Sequence, residues 1–322
     1  MKLKNDYNNI LKNLITIRSV EEKIVEEYSN QEIRCPVHLS VGQEAISVGV
    51  CLNLRKEDQI VLSHRCHSSY IAKGGSIKKM VSELYGKSSG SSFGKAGSMH
   101  LFDKENGVLA SIPIVSSGIA MAVGAALNFK LKKLNNISVA FYGDAAIEEG
   151  IFHESLNFAA AKKLPILFVC ENNNYSCYTN LKERQPKNLL KKIGLPFDIK
   201  TTHLSGKNAL NIFKSSKKII KQIRKNSYPQ ILLVDCFRKY EHCGPLIDDN
   251  LEYRAKNEIY KGNSQCPVKF FKKYVINKKI FSKSYVEKLE RNEIYKIGKI
   301  FKNVRREKNV IMSKKLKMIY AD

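Results

Sequence analysis

Apolar residues recur at helical intervals through the first 30 positions, at Ile10, Leu11, Leu14, Ile17, Val20, Ile24 and Val25, and predict a helix that breaks before Cys35-Pro36. A shorter helix is expected over 42–52, and Gln59-Ile60-Val61-Leu62-Ser63 reads as a strand. Between Gly74 and Gly97 the chain turns polar and rich in Gly and Ser, the composition of an ordered binding loop and not of a core element. From Gly118 the small residues of the run 119–127 predict a tightly packed helix.

The region 137–171 is the most regular. Residues 137–142 form a buried-type strand, 147–162 carry a helical pattern, and 166–170 form a second strand. Strand, helix and strand in this order make a βαβ unit, whose crossover is right-handed almost without exception. A helical stretch at 207–225 and a strand at 231–235 follow. The expected fold class is α/β, a mostly parallel sheet flanked by helices, with binding residues at the carboxyl ends of its strands. The first break in the pattern is Gly262-Asn263-Ser264, which divides an α/β domain at 1–262 from a helical, basic C-terminal extension at 263–322.

Composition narrows the class. With 322 residues and 43% hydrophobic content the chain can build a sizeable core, which excludes a disordered or fibrous protein. No apolar run approaches the roughly 20 residues of a membrane helix. The N-terminal residues lead into no apolar signal core, so a soluble, cytoplasmic protein is expected. Eight Cys without a Cys-x-x-Cys pair read as reduced thiols. His64-x-Cys66-His67 lacks the distant second pair that a tetrahedral metal cage needs.

The formal charge is +25, from 55 Lys and Arg against 30 Asp and Glu, and points first to an anionic partner. Residues 251–322 hold 20 of the basic and 7 of the acidic residues, spaced with apolar positions as in amphipathic helices with a solvated basic face. No finger, RNA-stacking motif or basic heptad array accompanies them, so nucleic-acid binding through this tail stands as an alternative of another class and not as the main reading.

Phosphate-binding motifs of the common kinds are missing. A P-loop ending in Gly86-Lys87-Ser88 would need Gly where Val81 stands, and no Gly-x-Gly-x-x-Gly follows a strand. The 137–171 unit offers another route. Its strands end in Gly143-Asp144-Ala145-Ala146 and Glu171-Asn172-Asn173-Asn174-Tyr175. Adjacent parallel strands lie about 4.8 Å apart, so Asp144 and an Asn of the second turn can converge on one hard cation. A helix opening near Ala146 would add N–H groups facing a diphosphate.

These two strand ends, with Asp144 and Asn173 29 positions apart, resemble the thiamine diphosphate motif. Four further segments agree in order: 38–45 (His-Leu-Ser-Val-Gly-Gln-Glu-Ala), 64–67 (His-Arg-Cys-His), 94–100 (Gly-Lys-Ala-Gly-Ser-Met-His) and 238–242 (Arg-Lys-Tyr-Glu-His). Over about residues 15–265 the chain is similar to alpha subunits of the thiamine diphosphate-dependent first component of 2-oxo acid dehydrogenases, of the pyruvate, branched-chain and acetoin types.

The resemblance implies a thiamine diphosphate-binding fold. It implies that Asp144, Asn173 and the backbone carbonyl of Tyr175 hold Mg2+, and that Gly143, Asp144, Ala145, Ala146, Arg65 and Asn173 surround the cofactor's diphosphate. Ile114, Val115 and Ser117 would contact its pyrimidine side through backbone. His242 and His38 would be the active-site histidines, with His64, where some relatives carry Tyr, beside the cofactor. His67 and His100 could equally order loops. The family has Gly-Asp-Gly where this chain has Gly143-Asp144-Ala145, which puts a methyl group at the close approach to phosphate. Glu148 and Glu149 read as dipole-compensating residues at a helix start.

The implied reaction is decarboxylation of a small-molecule 2-oxo acid and transfer of the acyl unit to a lipoyl-bearing acyltransferase. Because the second cofactor-binding domain finds no room after Leu251, a separate beta subunit in an α2β2 assembly is expected. An acyloin-forming or acyloin-cleaving enzyme and a noncatalytic assembly subunit remain as alternatives.

Overall fold

The computed structural model describes residues 2–33 and 35–309. The helices are α1 (Lys2–Tyr28), α2 (Glu44–Cys51), α3 (His67–Ala72), α4 (Ile77–Leu84), α5 (Ser117–Leu131), α6 (Gly150–Ala161), α7 (Leu181–Arg184), α8 (Leu189–Lys192), α9 (Ala209–Asn226), α10 (Lys256–Ser264), α11 (Pro267–Asn277) and α12 (Lys283–Arg305). The strands are β1 (Gln59–Leu62), β2 (Val108–Ser111), β3 (Ser138–Gly143), β4 (Ile166–Asn172), β5 (Tyr175–Ser176), β6 (Thr179–Asn180), β7 (Thr201–Ser205) and β8 (Gln230–Asp235). No helix of the described residues is long and apolar enough to cross a membrane.

Six strands pair in parallel in the order β2-β1-β3-β4-β8-β7, and β5 and β6 form a small antiparallel ribbon. The expected α/β class and the βαβ unit at 137–171 are therefore present. Strand alternation sorts the core into two layers, because successive side chains leave opposite faces. Val139, Phe141, Leu167, Val169, Leu232 and Val234 pack in one apolar cluster with α1, α2 and α9. Ala140, Tyr142, Ile166, Phe168, Ile231 and Leu233 pack in the other, under α5 and α6. The sequence pattern passed over β2 and β7, whose half-exposed edge positions dilute the apolar signal.

Three expectations change. The Gly- and Ser-rich stretch 74–97 is not all loop, since it contains α4, capped by Ser76 Oγ, which accepts from Lys79 N–H. Its remainder is ordered by one buried carboxylate: Glu83 accepts from the backbone N–H groups of Ser92, Gly94, Ala96 and Gly97 at 2.7–3.1 Å. The α-helix expected to open near Ala146 opens at Gly150, because a 3-10 turn at Asp144–Glu148 and an extended Glu149 come first. Residues 262–264 form the last turn of α10.

The C-terminal helices are more than a solvated basic face. Val268, Phe271, Val275, Val286, Ile297, Phe301 and Val304 are buried in the same cluster as α1. Glu293 of α12 accepts from Thr16 of α1 at 2.8 Å. Lys87 Nζ closes the end of α12 through the carbonyl of Glu307 at 2.8 Å and Asn309 Oδ1 at 2.7 Å. Residues 310–322 of the expected extension lie outside the described residues. All eight cysteines are free thiols.

Candidate active site

Strand β1 leads to β2 on one side, whereas β3 leads to β4 on the other, so the crevice beyond the carboxyl ends of β1 and β3 is a topological switch point. A cavity of about 240 Å3 opens there. Its walls bring together His38, His64, Arg65, Gly143 to Ala146, Asn173, Tyr175 and His242, along with Ile114 and Val115. Ser117 stands beside this lining at the start of α5, its Oγ donating to the carbonyl of Ile114 at 2.9 Å. Ser116, at φ 69°, donates from Oγ to the carbonyl of Ala146 at 2.9 Å and so ties the 114–117 turn to the end of β3.

The segment carrying His38 is held by buried charge on the first two helices. Glu21 Oε1 accepts from Ser40 N–H at 2.9 Å, and Glu44 Oε2 accepts from Gly42 N–H at 2.8 Å. Arg18 neutralises Glu44 at 2.5 Å. Gly42 sits at φ +100°, and a Cβ there would lie 2.0 Å from the carbonyl oxygen of Phe237, so only Gly permits this crossing. The crossing aligns 37–42 with 237–244: Lys239 N–H donates to Val41 at 3.2 Å and Gly244 N–H to Val37 at 2.8 Å. This pairing sets His242 beside His38. Arg238, 1% exposed, fixes the second segment by donating to the carbonyls of Tyr240 and Cys177 and to Tyr253 Oη.

The three histidine rings form a triangle with centroid separations of 4.7 Å (His38–His64), 5.1 Å (His38–His242) and 5.3 Å (His64–His242). Burial, with the neighbouring Arg65 charge and the other histidines, pushes His38 down to about 2. Burial and then Arg65 push His64 to about 3 and His242 to about 4. The ordinary titration of histidine near neutral pH therefore does not apply here: all three rings are neutral at pH 7.

Arg65 lies at the centre, donating from Nη1 to the carbonyl of Leu39 at 2.7 Å and from Nη2 to that of His242 at 3.2 Å. Its charge faces Glu171, whose carboxyl burial pushes up to about 7 against the downward pull of Arg65 and Gln43. Glu171 Oε1 has no hydrogen-bond partner.

Asp144 and Asn173 meet as their strand ends require. Asp144 Oδ1 accepts from Asn173 N–H at 3.3 Å, and Asn173 Oδ1 accepts from Tyr175 N–H at 3.1 Å. Burial raises the Asp144 carboxyl, and Arg184 opposes the rise. Arg184 Nη2 lies 2.5 Å from Asp144 Oδ2, and its Nη1 pairs with Glu148, which also accepts from Gln185 Nε2 at 2.7 Å. Glu148 thus anchors the end of α7. A buried carboxylate that recruits an arginine is a site that demands a cation, and the amide and carbonyl oxygens beside it suit a hard one. Beside it, a Cβ built on Gly143 would meet nothing within 4 Å, which leaves room for a phosphate group against the backbone. Ala145 lines the cavity half-buried, so its methyl group stands at this wall.

Sequence reasoning missed Arg184, Gln43 and Glu171 as site residues. Gln43 and Glu171 lay inside the quoted motifs without assigned roles. Arg184 carries no local signal, because the ribbon β5–β6 brings α7 to Asp144. His67 is fully engaged with Glu21 and Ser98, His100 is exposed, and His153 is held by the carbonyl of Ile147.

A parallel α/β sheet with a histidine-lined cavity at its switch point is the architecture of a cofactor-dependent enzyme. The sequence matches the family model of the dehydrogenase E1 component over residues 12–312, and the chain belongs to that family, an oxidoreductase of the thiamine-dependent E1 type. It is 33% identical to the alpha subunit of acetoin:2,6-dichlorophenolindophenol oxidoreductase of Bacillus subtilis, over 82% of this chain and 78% of that one. It is 32% identical to the pyruvate dehydrogenase E1 component subunit alpha of Rickettsia bellii, over 90% and 88%. Identity is also 32% to the chloroplastic pyruvate dehydrogenase E1 subunit alpha-3 of Arabidopsis thaliana, over 88% and 67%.

Proposed function

We propose that this chain is the alpha subunit of a 2-oxo acid dehydrogenase that decarboxylates its substrate and passes on the acyl group, working with a separate beta subunit in an α2β2 assembly. The observation that carries the reading is the convergence of Asp144, Asn173, Arg65 and three histidines on one cavity at the switch point. In this reading residues 1–262 carry the cofactor site, and 263–322 form a basic extension whose helices α11 and α12 pack on α1. Asp144, Asn173 and the Tyr175 carbonyl hold Mg2+, while Arg65 and the backbone at Gly143, Ala145 and Ala146 receive the diphosphate.

When bound, thiamine diphosphate supplies the nucleophilic carbon and the electron sink for decarboxylation. The protein binds and orients. The turn at Ile114, Val115 and Ser117 would support the pyrimidine side, and Leu62, Met99 and Ile112 give the cavity apolar walls that would exclude water. The neutral rings of His38 and His242 would donate hydrogen bonds to the substrate carbonyl oxygen as it gains charge, and the His64 ring packs against both. Exposed apolar side chains near the mouth and on the outer faces of α5 and α6, among them Ile114, Val115, Met121, Ile151 and Phe158, favour a covering subunit.

The purified chain with Mg2+ and thiamine diphosphate is expected to release no CO2 from pyruvate until the beta partner is supplied; full activity alone would sink the reading. A thermal-shift titration with the same two ligands separates it from a noncatalytic assembly role, which predicts no shift. The Bacillus relative favours a second reading, an acyloin-cleaving enzyme, and the assembled protein distinguishes the two by its turnover of acetoin against pyruvate.

A further inference from the structure

His38, His64 and His242 come from three separate segments, yet one ring nitrogen of each lies within 4.8 Å of the others. This cluster is not the His-x-Cys-His run visible in the sequence. Cys66 turns away to donate to the carbonyl of Ser98 at 3.1 Å, and His67 is spent on Glu21 and Ser98. Among the described residues no side-chain hydrogen bond or ion pair engages the three clustered rings, and His38 Nδ1 is buried without a partner. All three rings line the cavity, which leaves space for a fourth ligand.

We propose that His38, His64 and His242 form a binding site for a divalent transition metal of the zinc class, separate from the hard-cation site at Asp144. Three imidazole nitrogens with an open position are a zinc-type donor set, whereas magnesium requires oxygen ligands. Metal–nitrogen bonds of about 2.0–2.1 Å place tetrahedral ligand atoms roughly 3.4 Å apart, so small side-chain rotations close the cluster. The bound ion would occupy the end of the cavity where these histidines face a substrate, so its occupancy blocks turnover.

The test uses the reduced full chain and Co2+ alone, so it does not depend on the cofactor reading. One Co2+ per chain is expected to give the visible absorption of a tetrahedral nitrogen site, displaced by Zn2+ and unaffected by excess Mg2+. His64→Tyr and His38→Gln should each weaken Co2+ binding by more than the roughly 10- to 100-fold that loss of an outer-shell partner costs. Melting curves without metal identify which variants are folded, and either folded variant suffices. Absence of the band, displacement by Mg2+, an unchanged affinity in a folded variant, or a thiolate charge-transfer band from Cys177 or Cys243 would each overturn the proposal.

Discussion

Arg184 Nη2 lies 2.5 Å from Asp144 Oδ2, so the carboxylate at the end of β3 is compensated by a side chain 40 residues further along the chain. Any cation that binds Asp144 must displace or share this arginine. The ion pair ties α7 to the sheet, and in the proposed Mg2+ site it would compete with the metal.

Replacing Arg184 with Ala leaves Asp144, 1% exposed, without its partner. Breaking a buried pair costs on the order of 3–5 kcal/mol, so the melting temperature should fall in metal-free buffer. Mg2+ should then restore more stability to Arg184→Ala than it adds to the parent. Thermal unfolding with and without Mg2+ reads this directly, and equal responses would remove Asp144 from the metal site.

The histidine triangle makes stability pH-dependent with a defined sign. Each folded-state pKa lies below the ordinary 6.5, at about 2 for His38, 3 for His64 and 4 for His242. Below pH 6.5 the unfolded chain takes up protons that the folded chain refuses, so stability is intact above that pH and lost as pH falls toward 4. His38 alone contributes a slope of up to about 1.4 kcal/mol per pH unit. Urea midpoints at pH 7.5 and 5 should show a shallower decline in His64→Tyr than in the parent.

Glu83 satisfies four backbone N–H groups of the 92–97 loop from a buried position. Glu83→Ala leaves those donors unpaired at about 1–3 kcal/mol for each one that water cannot reach. Denaturant titration should show a loss of at least about 3 kcal/mol, and limited proteolysis should cut within 86–97. A variant as stable and as protease-resistant as the parent would contradict this role.

Phe158 is 40% exposed on the outer face of α6. Phe158→Lys should leave the isolated chain within about 0.5 kcal/mol of its original stability, as surface changes do. Co-expressed with the beta partner, it should fail to assemble, which size-exclusion chromatography with light scattering would register. Undiminished assembly would place the interface elsewhere.

The strands that were legible in the sequence are those whose burial is nearly uniform. All seven residues of β4 are buried, and its apolar run announced it. β7, with no buried position, did not. The site was legible where function sits at a strand end: Asp144 and Asn173 follow directly from where β3 and β4 stop. The histidines were legible as motif members, but their neutrality was not, since it arises from burial and from Arg65, whose neighbours are set by folding. Arg184 was invisible because nothing local marks a residue that the ribbon β5–β6 delivers to the site.

Hydrophobic periodicity determined the α/β class, the central βαβ unit and the residues at its carboxyl edge, because burial on one face or two imposes its period on the chain. Tertiary structure decided the rest. The approach of Gly42 to Phe237 brings two segments about 200 residues apart into register and closes the histidine triangle. Packing of α11 and α12 on α1 converts a basic, seemingly solvated tail into part of the core. Charge compensation and pKa depend on distances through space, and a linear pattern does not contain those distances.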